Sequence, residues 1–173
     1  VDKAILRTRD EAEFAMFYNQ DADSRYTEEV LDKIARSSAT ILRNNDLVEI
    51  DGQEKSFRQD KALVFDLQNG KSVHVNGTID RLDTLQINQA VGVVDYKSSD
   101  QSFSVGDFYN GLKPQLVTYL AALQELDETK DKPVFGAMYL HLQDPIIKLK
   151  DTKNLEQLEV AANTSLVYKG LFL

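Results

Sequence analysis

Residues 77–97, GTIDRLDTLQINQAVGVVDYK, contain two aspartates and a lysine that a pair of adjacent strands could bring together. In the second strand, Val91-Gly-Val-Val-Asp95-Tyr-Lys97, side chains alternate between faces with a period of two. Asp95 and Lys97 therefore point one way, while Val94 and Tyr96 point the other. The apolar run before them puts acid and amine at the rim of a buried sheet. Asp80 reads as the end of the preceding strand, where it supplies a second carboxylate. Carboxylates in that position can ligate a divalent cation, and an ammonium beside them can stabilise charge developing on a phosphate oxygen. This is the set of groups a magnesium-dependent phosphodiesterase needs. The competing reading is a solvated Asp-x-Lys pair worth about 0–1 kcal/mol. Against it stands the ordered company of Gly77, Asp80, Arg81, Asp83, Asp95 and Lys97, followed by Gln115 and Tyr119.

These groups need elements to hold them. Residues 8–19 and 24–43 read as helices; in the second, Tyr26, Val30, Ile34, Ile41 and Leu42 fall near one side, and Asp23 or Ser24 can cap its start. Strands are expected at 48–57, 61–67, 71–82 and 90–97, separated by Asp51-Gly52, Asn69-Gly70 and Asn88-Gln89. Asn-Gly between alternating apolar runs is a hairpin signal, so 61–67 should pair antiparallel with 71–82. Residues 106–127 read as helical with a break near Gly111, because Pro114 is tolerated only close to a helix start. Gln115 and Tyr119 then share one face at i,i+4, beside an apolar stripe of Leu116, Leu120 and Leu123 that should pack on the sheet. A strand at 134–142, a short one at 145–150 and a helix at 153–168 complete the pattern. The fold class expected is α/β, a mixed central sheet flanked by helices.

A chain of 173 residues, 42% of them hydrophobic, suits a single domain with a sizeable core. It has no run of 18 apolar residues, so no membrane span is expected. Residues 1–13 are charged and lack the apolar stretch of a signal peptide. The absence of cysteine removes disulfides and thiolate metal sites. A cytoplasmic protein is expected, in which the sequons at Asn76 and Asn163 are chance matches. The net charge of −8 predicts poor binding of DNA by the chain alone, since sequence-independent affinity comes from Lys and Arg neutralising phosphates. Bound cations, or delivery of DNA by another part of a larger assembly, would resolve this.

Several other patterns fail on inspection. Gly70-Lys-Ser72 is not a P-loop, because Phe65 stands where the first glycine is needed and a strand follows. Asp21-x-Asp23 is not a calcium loop, because Tyr26 occupies the position that requires glycine. His74 and His141 alternate with apolar residues in strands and read as satisfied or exposed side chains. Arg81 and Asp83 read as a local ion pair rather than as chemistry.

Gly-Thr-Ile-Asp80-Arg-Leu-Asp, Val-Asp95-Tyr-Lys97-Ser-Ser and Gly111-Leu-Lys-Pro-Gln115-Leu-Val-Thr-Tyr119-Leu, in this order, resemble the RecB-type branch of the PD-(D/E)xK nucleases. Within it they are most similar to the nuclease domains of the B subunits, RexB and AddB, of RexAB/AddAB ATP-dependent helicase–nucleases. The motifs span residues 77–119, with weaker similarity from about residue 26 onward. The resemblance implies a restriction-endonuclease-like fold and a metal-dependent DNase. Asp80 and Asp95 become metal ligands, which a backbone carbonyl at Tyr96 can join; Glu54, which resembles a glutamate preceding the IDR motif, reads either as a third acidic ligand or as an exposed strand glutamate. Lys97 becomes the catalytic lysine, and Gln115 and Tyr119 the helical QxxxY motif beside it. The cofactor implied is Mg²⁺, with Mn²⁺ able to substitute. The partners implied are single-stranded DNA delivered by a helicase, and a RexA/AddA-like A subunit in a heterodimer. RecB-type nucleases often carry a metal-binding histidine upstream of these motifs, and no histidine precedes His74 here.

The chain starts at Val1 and ends in Tyr168-Lys-Gly-Leu-Phe-Leu173, and reads as a C-terminal nuclease domain, residues 1–173, excised from a longer subunit. Two other readings are a non-catalytic DNA-guiding domain of the same fold and a stand-alone metal-dependent nuclease.

Overall fold

The computed structural model describes residues 1–18, 20–43, 45–99, 101–142, 154, 156–157, 160 and 167–173. They fall into two compact units, residues 1–45 with 142–167 and residues 46–141 with 168–173. The expected strand at 145–150 and most of the expected helix at 153–168 lie outside the described residues; Glu156, Gln157 and Val160 are helical.

The first unit contains α1 (Asp2–Asp10), α2 (Ala12–Tyr18) and α3 (Ala22–Arg43). The expectation of one helix over 8–19 is corrected: the chain leaves the helical region at Glu11, whose ψ is 131°. The cap of α3 is also corrected. Asp21 Oδ1 accepts the Ser24 N–H at 2.8 Å, so the helix begins at Ala22, ahead of Asp23 and Ser24. Arg36 joins α3 to α1 by pairing with both Asp32 and Asp2, and Arg9 of α1 pairs with Glu28 of α3.

The second unit is built on a five-stranded sheet of order β1-β4-β5-β6-β7, with β2 and β3 as a separate hairpin. The strands are β1 (Val48–Phe57), β2 (Leu63–Asp66), β3 (Ser72–Val75), β4 (Gly77–Leu85), β5 (Val91–Lys97), β6 (Val134–His141) and β7 (Lys169–Phe172). β5 and β6 run parallel and the other neighbours antiparallel, so the sheet is mixed as expected. The parallel step needs a crossover. It is supplied by α4 (Val105–Tyr109) and α5 (Gln115–Glu125), which are separated at Gly111, φ +74°. Helix α5 buries Leu116, Tyr119, Ala122 and Leu123 in one core with Phe57, Ile79, Val91, Val93, Ala137 and Tyr139.

Three strand expectations change. Asp51-Gly52 is an irregularity inside β1 and not a turn. The expected strand 71–82 is two: β3 pairs with β2 as the Asn69-Gly70 turn predicts, and after Asn76 the chain enters β4, which pairs with β1 and β5. Asp80 therefore lies within β4 and does not end it. Gly77 marks the switch: the Phe57 ring covers it so closely that a Cβ there would overlap the ring.

Opposite the apolar run of β5, Arg81 is fully buried with its guanidinium bidentate to Asp83, both contacts 2.7 Å, and bonded to the Tyr168 hydroxyl at 2.9 Å. The ion pair read from the sequence is present, and buried rather than solvated. Burial opposes its charge, yet the Asp83 and Tyr168 contacts prevail and hold the guanidinium pKa above its ordinary value. Arg81→Ala should destabilise the chain by about 3–5 kcal/mol in urea unfolding, because Asp83 is left buried without its counter-charge. Arg81→Met with Asp83→Leu should recover most of that loss; equal losses in the single and double variants would contradict this account.

Candidate active site

Two neighbouring ladders create the site. The β4–β5 ladder runs as far as Arg81↔Val94, one step short of placing Asp80 opposite Asp95. Beyond that rung the Tyr96 N–H turns to a side chain and donates to Asp80 Oδ2 at 2.9 Å. On its other edge β5 stays paired with β6 through Lys97↔His141. The sheet thus opens on the β4 side while β5 is held from the β6 side, and the two carboxylates stand at the opening.

Asp95 is 1% exposed and Lys97 Nζ lies 2.6 Å from its Oδ2, so the strand alternation brings acid and amine together as the sequence indicated. Gln115, the first residue of α5, joins them. Its Nε2 donates to Asp95 Oδ1 at 2.7 Å and to the Tyr119 hydroxyl at 2.9 Å, and its Oε1 accepts from Lys97 Nζ at 2.8 Å. An amide suits this place because it presents donor and acceptor at once. Tyr119 is one helical turn on, and its ring meets Phe57 edge-on at 6.2 Å. That contact ties the site to the Gly77 switch.

Burial, and next to it the Asp80 charge, push the Asp95 carboxyl above its ordinary value, while the Lys97 ammonium pulls it back. Burial raises the phenols of Tyr119 and Tyr139 as well, with the Asp95 charge adding to both. Both phenols are therefore neutral at physiological pH.

The residues present fit a divalent cation in one specific respect. Asp95 Oδ2 is buried and has the Lys97 charge beside it but no aligned hydrogen bond, so a lone pair remains for a Lewis acid. Asp80 supplies the second carboxylate. Among the described residues no three His, Asp or Glu side chains are gathered closely enough to hold a metal. Glu54 sits in β1 between Gln53↔Arg81 and Lys55↔Ile79, hence across from Asp80, but is exposed with φ 50°.

Both histidines take part in local bonding. His141 Nε2 accepts the Gln101 N–H at 2.8 Å, and His74 Nε2 lies 3.3 Å from Ser72 Oγ. Tyr139 is the residue the sequence reading missed. It pairs with Asp95 across the parallel ladder, and Lys97 Nζ lies 5.5 Å from its ring centroid. Its signal was the alternation of 134–142, which is legible only once the register with β5 is known.

A mixed sheet carrying aspartates on adjacent strands, with a lysine two residues beyond the second, defines a nuclease class of restriction-endonuclease-like fold. Residues 2–168 match the PD-(D/E)XK nuclease superfamily, and the chain belongs to it. The chain is 98% identical over 173 residues to the B subunit of the ATP-dependent helicase/deoxyribonuclease of Streptococcus suis, covering all of this chain and 16% of that protein. It is 44% identical to the protein of the same name from Streptococcus agalactiae serotype Ia, covering 99% of this chain and 15% of that protein. It is 42% identical to the one from Streptococcus pneumoniae, covering 100% and 16%. The chain thus spans only about a sixth of the length of these relatives.

A raised Asp95 pKa has a definite sign in stability. The folded chain binds the proton more tightly than the unfolded chain, so this stabilisation is complete below the ordinary aspartate value of 3.8 and is lost as pH rises through the folded value. In chelator, the stability of the unmodified chain relative to Asp95→Asn should therefore fall as pH rises from that value toward neutrality. A difference independent of pH, in urea titrations across the range, would contradict it.

Proposed function

We propose that this chain is the nuclease domain of a longer helicase–nuclease protein, its B subunit, and hydrolyses DNA phosphodiesters as an exonuclease. The observation that carries the reading is the buried Asp95 oxygen without an aligned donor, set beside Asp80 and an ammonium. A divalent cation, Mg²⁺ or Mn²⁺, held by Asp80 and Asp95 with the Tyr96 carbonyl, would polarise the scissile phosphate and lower the pKa of water; Glu54, exposed and not gathered with the pair, would join only by turning its side chain in. Lys97 is placed to stabilise the negative charge that grows on the phosphate in the transition state. Gln115 fixes the direction of the Lys97 ammonium and of Asp95 together, and Tyr119 holds Gln115. The interior position of Asp95 excludes water from one side of the reacting group and strengthens each of these interactions.

The share of the relatives' length that the chain covers supports a domain of a longer protein over a stand-alone nuclease. It also answers the charge problem, because a chain of net charge −8 is a poor collector of DNA. A single strand unwound by the partner helicase, in a heterodimer with an A subunit, is the substrate this reading favours, in end resection for recombinational repair. Cytoplasmic location belongs to the same reading; among the described residues no helix is long and apolar enough to cross a membrane.

The test is Mg²⁺-dependent digestion of single-stranded DNA by the full-length subunit in its complex. Lys97→Ala should retain cation binding and lose cleavage by more than about a hundredfold, the size of comparable transition-state donors. Asp95→Asn should lose both. Near-normal cleavage by Lys97→Ala would reduce the lysine to a strand-end charge. Separately, the isolated chain should bind single-stranded DNA weakly and with a shallow salt slope, with Ca²⁺ replacing Mg²⁺ to suppress cutting, whereas the complex should show a steep slope. Submicromolar binding by the chain alone would revive the stand-alone nuclease.

A further inference from the structure

A cavity of about 430 Å³ that none of the site carboxylates lines is formed by Arg58, Gln59, Ala62, His74, Asn76 and Gly77. Its polar side chains are a guanidinium, an imidazole and two amides, all able to donate hydrogen bonds. Among the described residues no carboxylate lines it, in a chain with 28 acidic residues. The wall is shaped by constrained backbone. Gln59 has φ 57°, a conformation that costs a non-glycine residue energy and that persists only where the surroundings impose it. Gly77 forms part of the wall with its Cα position closed from behind by Phe57.

Arg58 is exposed, and its Nη2 donates to the Thr78 hydroxyl at 3.3 Å; a guanidinium has further N–H groups with which to meet an anion in the cavity it lines. The cavity is also tied to the carboxylates by sequence. Gly77 and Asp80 lie on the same strand three residues apart, about 10 Å at the rise of a β-strand. Successive phosphates along a strand lie farther apart than the axial rise of roughly 3.4 Å, so that span is covered by one or two of them.

We propose that this cavity is a subsite for a backbone phosphate of the DNA strand, one or two nucleotides from the phosphate at Asp80 and Asp95, with Arg58 as its cationic contact. The proposal rests on the nuclease reading for the direction of the strand, but its anion chemistry stands on the lining residues. It gives the acidic chain one local place to grip a substrate delivered to it. His74 and Asn76 supply further donors from the β3 side, and the Gln59 amide from the β1 side.

The experiment measures affinity of the full-length subunit, in its complex, for a labelled oligo-dT strand in Ca²⁺ over a series of salt concentrations, and then cleavage in Mg²⁺. Arg58→Ala should weaken binding about tenfold and lower the slope of log K against log salt by about 0.7, the loss of one phosphate contact on a single strand. Arg58→Lys should recover the slope. Lys130→Ala, which removes an exposed charge paired to Asp127, serves as the charge-matched control and should leave the slope as it was. Unchanged affinity and slope in Arg58→Ala would overturn the subsite, as would Arg58-dependent binding of inorganic phosphate with no effect on DNA. Normal cleavage by the unmodified subunit alongside an indifferent Arg58→Ala removes the subsite and leaves the nuclease reading intact. Arg58-dependent DNA binding without any Mg²⁺-dependent cleavage keeps the subsite and removes that reading.

Discussion

Two carboxylates held beside one another, one of them buried, are the constraint around which the second unit is arranged. Asp95 at 1% exposure could not keep its charge next to Asp80 without compensation. Lys97 supplies the counter-charge, Gln115 a hydrogen bond, and Tyr119 a neutral phenol within reach. Each depends on a different element: Lys97 on the period of β5, Gln115 on the start of α5, Tyr119 on the helical turn that follows. The break at Gly111 and the proline at 114 serve this arrangement, because they fix where α5 begins and so where Gln115 lies. A helix starting one residue later would rotate Gln115 away by about 100°.

The remaining structure holds the sheet open at one rung. β5 is clamped to β6 along its whole length, while the β4 ladder ends at Arg81↔Val94. Immediately behind that rung sits the buried Arg81–Asp83 pair, with Tyr96 Oη 3.3 Å from Arg81. Tyr96 thus faces this pair with its ring while its backbone N–H holds Asp80 on the site side. One residue connects the rigid ion pair to the position of a candidate ligand. Positioning through packed, fully bonded neighbours is what a site requires if its groups are to be aligned before substrate arrives.

Much of this was legible in the sequence, for identifiable reasons. Period two put Asp95 and Lys97 on one side, i,i+4 put Gln115 and Tyr119 on one side, and Asn69-Gly70 announced a hairpin. These are local rules and need no partner. The boundary at Asn76 was not legible, because β3 and β4 form one continuous run of strand-forming residues and only the change of pairing partner divides them. Asp80 was misplaced at a strand end for the same reason: Leu82, Thr84 and Leu85 continue β4, and their register with β1 is a tertiary fact. Tyr139 escaped notice since parallel pairing gives no turn signal. The start of α3 differs from the one Asp23 or Ser24 would set because a carboxylate just ahead of them, that of Asp21, caps the helix.

The chemistry of these carboxylates turns on where a cation sits. Anomalous diffraction from a crystal of the chain soaked in Mn²⁺ measures this directly. The expected result is a single strong peak between Asp80 and Asp95 Oδ2, beside Tyr96, that disappears in Asp95→Asn. A peak elsewhere on this acidic chain, or an undiminished one in Asp95→Asn, would contradict the assignment of these carboxylates as the metal-holding pair.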